Sequence, residues 1–543
     1  MSLVKSKKFA AGRPVVLCIM DGVAYGPKYE ADAVAQAYTP HLDALHTTSL
    51  HTKLKAHGTA VGMPSNDDMG NSEVGHNAIG CGRVFAQGAK LVKEAIETGS
   101  MFEGTTWKEQ TNNVTQNNTT LHFIGLLSDG NVHSHIDHLV AMINQARKEG
   151  VKSIRLHTLL DGRDVGETSA LDYIEPIEKL LAEHNQSGVD YRIASGGGRM
   201  FITMDRYDAD WAMVERGWHT HVLGDGRQFS SAEEAIKTFR NETRCIDQNL
   251  PAFVIAENGN AIGPIVDGDS VIFCNFRGDR GIELCKTFED ENFNRFDRKR
   301  YPSVLYCGMM QYDGDLQIPK RYLVTPPAID KTMGEYIANT GLRQLAVSET
   351  QKYGHVTYFF NGNRSGKFND ELEDYIEVPS DNVPFDERPW MKGAEITDIV
   401  IDSLRQKKHD FIRLNYPNAD MIGHTGNFQA ARMSVEAVDL CLARLIPEVK
   451  AAGGILVVTA DHGNADEMYE LDKQGVIKLD EAGIPRNKTC HTLNPVPCLI
   501  YDPLYDKNYT LADGKFGISS HSASCINLLG YDAPEDYDPS YII

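Results

Sequence analysis

The chain has 543 residues, 41% hydrophobic and 24% charged, which is an ordinary globular composition with more length than one core needs. Its 54 Lys and Arg against 75 Asp and Glu leave a net charge of −21, which argues against binding nucleic acid or an anionic membrane through bulk charge. No apolar run approaches the ~20 residues of a membrane helix, and the ten cysteines lack any C-x-x-C, so reduced thiols in a cytoplasmic protein are expected.

Along the chain one plan recurs: an apolar run, a polar cluster, then an amphipathic helix. "PVVLCIMDG" reads as a buried strand ending in Asp21. "NDDMGNSEVGHNAIG" follows at 66–80, with Ser72 among small residues but without the G-x-S-x-G of a hydrolase elbow. Ser72 there reads as a nucleophile, as the cap of a helix, or as both. "TLHFIGLLSDGNVHSH", "IDHLVAMINQARKEG" and "SIRLHTLLDGRD" make one β-α-β unit over 120–164, with Gly150 as the helix stop. "DYRIASGGGR", "DSVIFCNFRGDR", "HDFIRLNYPNAD" and "GGILVVTADHGN" repeat the plan, whereas "SSAEEAIKTF" is a capping box from Ser231 to Glu234 and reads as scaffold. Strands alternating with helices predict an α/β fold with a largely parallel sheet, whose ligands gather at the carboxyl ends of the strands.

Two kinds of chemistry sit at those ends. Asp21, Asp420 and Asp461 with His424, His462 and His491 offer three carboxylates and three imidazoles. That donor set suits Mn²⁺, Mg²⁺, Co²⁺ or Zn²⁺. Two dications bring four positive charges; three aspartates offset three, and an ionised Ser72 would offset the fourth. The middle of the chain collects cationic side chains instead: His133, Arg163, Arg199, Arg206, Arg277 and Arg280, with Lys352 later in "SETQKYGHVTYFFNGN". Arginine's planar fork fits phosphate and carboxylate, so a small polyanion carrying both is the expected substrate. No G-x-x-x-x-G-K-[ST] and no G-x-G-x-x-G after the first strand is present, which disfavours ATP in a P-loop and a dinucleotide.

The motifs "LCIMDGVAYG", "MPSNDDMGNSEVGHNAIGCGRV", "LLSDGNVHSHIDHL", "TLLDGRD", "NFRGDR", "QKYGHVTYFFNG", "NADMIGHTGN" and "ADHGNAD" resemble those of the cofactor-independent phosphoglycerate mutases of the alkaline phosphatase superfamily over essentially the whole chain. The resemblance implies two domains: a phosphatase-like metal domain over 1–86 and 325–543, and an inserted α/β transferase domain over 87–324. It implies one metal on Asp420, His424 and His491, and another on Asp21, Ser72, Asp461 and His462, with manganese the foremost candidate. Ser72 would be phosphorylated in turnover, and His133, Arg163, Asp164, Arg199, Arg206, Arg277, Arg280 and Lys352 would line the substrate site, Asp164 also carrying protons. The implied reaction is the interchange of 3-phosphoglycerate and 2-phosphoglycerate by a monomer, with the inserted domain closing to shut out water. The chain departs from the family's usual G-R-Y-Y-A-M-D-R: "GRMFITMDR" puts seven steps between Arg199 and Arg206 instead of six, and an added residue there would re-aim Arg199. A phosphatase or phosphodiesterase, a phosphopentomutase and a metal-stabilised binding protein are the alternatives; the arginine-rich middle speaks against the first two and an intact Ser72 against the third.

Overall fold

A computed structural model describes residues 1–86, 88–206, 208–313, 316–327, 329–480 and 482–543. The chain divides into two compact units, Met1–Gln87 with Pro327–Ile543, and Gly88–Pro326. Each is built on its own mixed, mostly parallel sheet. Among the described residues no helix is long and apolar enough to cross a membrane.

The first unit centres on the strand Val15–Met20. Its six residues VVLCIM are all buried, the continuous apolar run expected of a strand covered on both faces. It pairs in parallel with Phe411–Tyr416 on one side and Ile455–Thr459 on the other. Gln344–Glu349 and Glu373–Val378 extend the sheet in parallel beyond Phe411–Tyr416. On the other flank Val496–Tyr501 and Leu50–Lys55 run antiparallel. The carboxyl ends of these five parallel strands therefore meet at one edge, and the amino end of Val496–Tyr501 joins them there.

Onto that edge comes the helix Ser72–Cys81, nine of whose ten residues are buried. Asn71 caps it: its side-chain oxygen accepts from the backbone N–H of Glu73 and of Val74, both at 3.1 Å. The cap is thus Asn71, and Ser72 is the first residue of the helix itself. The helix lies close because it carries glycine where it touches the loop after Ile455–Thr459 and the end of the π-helical turn His355–Phe359. A Cβ at Gly75 would sit 2.9 Å from the Asp461 carbonyl oxygen, and one at Gly80 would sit 1.9 Å from that of Phe360.

In the second unit the strand order is Tyr322–Val324, Leu305–Met310, Ser270–Phe273, Leu121–Leu127, Ser153–Leu160, Asp190–Gly198, Phe253–Glu257, Arg227–Phe229. The β-α-β unit expected over 120–164 is present, with the helix Ile136–Lys148 between two parallel strands and Gly150 at φ 84° just past the helix. The capping box is displaced by one residue. Ser231 accepts from Glu234 N–H as expected, but Glu234 returns to the backbone of Ser230. Polar loops follow the strands at one edge here too, and they carry the arginines.

Candidate metal centre and anion pocket

In the first unit the strand ends bring Asp21, Ser72, Asp420, His424, Asp461, His462 and His491 together, all buried. The turn after Phe411–Tyr416 is helical over Asn418–Gly423, which puts His424 Nε2 3.1 Å from Asp420 Oδ1. His491 Nε2 lies 3.2 Å from the same oxygen and 3.1 Å from His424 Nε2. The proton positions follow from the outer contacts. His424 Nδ1 meets the Thr489 carbonyl at 2.7 Å, and His491 Nδ1 meets the Gly70 carbonyl at 2.8 Å. A carbonyl only accepts, so each Nδ1 carries the hydrogen and each Nε2 presents a lone pair. Two lone pairs and a carboxylate oxygen then converge on one another, an arrangement that a cation satisfies.

Beside them Asp461 is fully buried, and neither of its oxygens accepts a hydrogen bond among the described residues. His76 Nδ1 approaches Asp461 Oδ2 at 3.2 Å but is closer, at 2.8 Å, to the Ser72 carbonyl. A buried carboxylate without donors is costly unless a positive charge faces it. Asp420, His462 and His491 can each place a donor atom within 4.8 Å of the others, and so can Asp21, His76 and Asp461. The donor chemistry therefore fits two divalent ions. By proximity His462 also reaches the first set, whereas His76, with its Nδ1 hydrogen on the Ser72 carbonyl and its Nε2 3.1 Å from the Asn415 amide, is a neighbour of Asp461 with no free lone pair. The signal for His76 is its spacing, four residues after Ser72 on the same face of a helix.

Ser72 Oγ lies 2.9 Å from His462 Nε2 and 3.3 Å from Asp21 Oδ1. Lys352 Nζ contacts Ser72 Oγ as well, together with Asp21 Oδ1 at 3.0 Å and Asp420 Oδ2 at 2.7 Å. Lys352 thus belongs to this cluster in the first unit. Burial and the charge of Asp461 push Asp21 up to about 7 against the pull of Lys352. Burial also acts to raise Asp420 and Asp461, but their neighbours win: Lys352 and then His424 hold Asp420 well below the usual carboxylate range, and His462 and His76 lower Asp461.

In the second unit His133, Arg163, Asp164, Arg199, Arg206, Arg277 and Arg280 are all buried, none exposed beyond 7%. Arg199 is ion-paired with Asp161 at 2.8 Å and with Asp164. The longer loop leaves its side chain in the pocket. Asp161 ties the "DGRD" turn together, accepting the N–H of Arg163 and of Asp164 at 3.1 Å each and the Ser128 hydroxyl at 2.6 Å. Asp279 does the same for the "RGDR" loop, with Arg206 at 3.2 Å, Arg277 at 3.1 Å and His133 at 3.6 Å. Sequence reasoning missed Asp161 and Asp279, although both lie inside motifs it singled out. Positive charge still prevails: Arg280 is driven well below its ordinary range by burial and by Arg206, Arg199 and Arg163 around it. His133 is lowered likewise, by burial and then by Arg199, Arg277, Arg280 and Arg206. Such a surplus of buried positive charge is one that an anion would satisfy.

A family profile described as the Metalloenzyme superfamily matches residues 13–533. The chain is 55% identical over 541 residues to a probable 2,3-bisphosphoglycerate-independent phosphoglycerate mutase of Leptospira interrogans, covering 99% of each sequence. It is 50% identical to the 2,3-bisphosphoglycerate-independent phosphoglycerate mutase of Trypanosoma brucei brucei, over 98% of this chain and 97% of that one. A crystal structure of Leishmania mexicana phosphoglycerate mutase at low cobalt concentration matches it with a TM-score of 0.98 at 48% identity, covering 100% of both chains.

Proposed function

The chain belongs to the 2,3-bisphosphoglycerate-independent phosphoglycerate mutases, within the Metalloenzyme superfamily, and we propose that it interconverts 3-phosphoglycerate and 2-phosphoglycerate by passing the phosphoryl group through Ser72 while glycerate stays bound. One observation carries this reading: a buried serine hydroxyl at the first position of a helix, touched at once by His462, Asp21 and Lys352.

Each contact has a use. His462 Nδ1 faces the Gly463 carbonyl, so its Nε2 presents a lone pair beside Ser72 Oγ. The amino end of the helix and the Lys352 ammonium favour negative charge on the oxygen and, after attack on phosphorus, on the phosphoryl group it carries. Asp420, His424 and His491 would hold one divalent ion, and Asp21, Ser72, Asp461 and His462 the other, supplying charge that acidifies the serine hydroxyl and offsets the phosphate; manganese is the ion we propose. The arginines of the second unit would hold the glycerate carboxylate and hydroxyls, with Asp164, set by Arg199, moving protons between the two hydroxyls. Water has to be kept from the phosphoserine in the interval, or phosphate is lost. The proposal includes the domain limits 1–86 with 325–543 and 87–324, a monomeric chain and a cytoplasmic setting, the last supported by ten cysteines that are all free thiols.

The test is to incubate manganese-loaded protein with 3-phosphoglycerate in the absence of bisphosphoglycerate. The expected product is 2-phosphoglycerate with negligible free phosphate, and Ser72→Ala should lower the rate by at least roughly 10⁴-fold. Substantial mutase activity in Ser72→Ala, or phosphate as the main product, would overturn the proposal.

A further inference from the structure

Three strands in the middle of the second sheet carry polar side chains where a buried strand should be apolar. His122, His157 and Ser195 are each only 1% exposed. They form one unbroken line of hydrogen bonds. Asp269 Oδ2 meets His122 Nε2 at 3.1 Å, and His122 Nδ1 meets His157 Nε2 at 2.9 Å. His157 Nδ1 meets the Ser195 hydroxyl at 2.7 Å, which meets His221 Nδ1 at 2.8 Å. His221, in the π-helical turn His219–Leu223, ends the line with Nε2 3.0 Å from Thr203 Oγ1.

The direction of every bond follows from one end. Asp269 accepts the N–H of Thr120 at Oδ1 and of Val266 at Oδ2, both at 2.9 Å, so it is an acceptor throughout. His122 therefore donates from Nε2 and accepts at Nδ1, and His157 does the same one step along. Ser195 donates to His157 and accepts from His221 Nδ1, which leaves His221 Nε2 to accept the Thr203 hydroxyl hydrogen. Burial holds the His221 ring down to about 3 and His157 well below its ordinary range, so neutral rings keep this order.

Thr203 is an unusual terminus. Its φ is 69°, a left-handed conformation that a β-branched residue rarely adopts. It stands between Arg199 and Arg206, and the carbonyl of the next residue, Met204, accepts from Arg280 at 2.5 Å. We propose that the buried line from Asp269 to Thr203 fixes the loop that aims Arg199, Arg206 and Arg280, which makes Thr203 and His221 positioning residues for substrate binding. This rests on the reading of the arginine pocket as the phosphoglycerate site.

Steady-state kinetics on the full-length, manganese-loaded protein test it with Thr203→Val, Thr203→Ser and Arg280→Ala. Thr203→Val, which keeps shape and loses the hydroxyl, should raise KM for 3-phosphoglycerate about five- to tenfold, the cost of one lost hydrogen bond, with kcat within about threefold. Thr203→Ser should restore KM to within about twofold. Selective ¹⁵N-histidine spectra of the unmutated protein add a readout independent of folding of the variants: His221 should be protonated at Nδ1. An unchanged KM in Thr203→Val while Arg280→Ala raises it, or His221 protonated at Nε2, overturns this proposal alone. Unchanged KM in both variants overturns the substrate reading of the pocket and this proposal with it.

Discussion

Replacing Lys352 by Met keeps an unbranched side chain of similar length and removes one charge from the interior of the first unit. The ammonium lies 3.0 Å from Asp21 and 2.7 Å from Asp420. At an effective dielectric constant of ~20 each contact amounts to roughly 5–6 kcal/mol before the cost of dehydrating the ammonium is subtracted. Measured losses on breaking buried pairs leave a net of about 3–5 kcal/mol. A unit this large loses roughly 2 °C in Tm per kcal/mol, so the chelated variant should melt about 6–10 °C below the chelated native protein. Divalent ions face the same carboxylates, so saturating manganese should recover most of that gap. Calorimetry with and without EDTA measures both numbers. A chelated variant that melts within 1 °C of the native protein, or a gap untouched by manganese, would refute the electrostatic account. Activity should fall as well, by roughly 10²- to 10³-fold, because the charge beside Ser72 Oγ is lost.

Asn71→Ala removes the oxygen that accepts two helix N–H groups; a loss of about 1 kcal/mol is expected by urea titration, together with a drop in kcat because Ser72 is the next residue. Gly80→Ala should be far more damaging, since its methyl meets the Phe360 carbonyl at 1.9 Å; thermal melting and the mutase assay should both fall, and normal values would show that the helix can slide. For pH dependence Asp32 is the clearest group: burial, then Asp466, lifts it to about 7. A carboxyl raised in the folded state stabilises below its unfolded pKa of about 4 and loses that contribution as pH climbs through 7, a change on the order of 4 kcal/mol. Asp32→Asn should therefore melt several degrees above the native protein at pH 9 and close to it at pH 4; equal Tm differences at both pH values would contradict the assignment.

Much of this architecture could be read before any coordinates, because the strands are long apolar runs and the acids and histidines come just past the ends of those runs. Asp21 after Val15–Met20 and Asp461 after Ile455–Thr459 are legible in that way. What escaped depends on packing. Ser72 and Asn71 are both good caps by residue type, and only the backbone shows that Asn71 takes the role. His76 looks like any helix residue until the helix is seen pressed against Asp461. Asp161 and Asp279 were hidden by the arginines beside them, since a cation-rich motif suggests a ligand before it suggests an internal counter-charge. The line through His122, His157 and His221 joins three separate segments, and the sheet order that aligns them is not written in any one of them.

The strand bearing Asp21 has consequences for synthesis. It is translated long before its two sheet neighbours, which begin at Phe411 and Ile455. The contiguous unit Gly88–Pro326 emerges from the ribosome whole and can fold while the rest is still being made. Until the far segments arrive, an apolar strand waits with both hydrogen-bonding edges open, the kind of segment chaperones bind. The surroundings of Ser72 are therefore completed only after those far segments have been made.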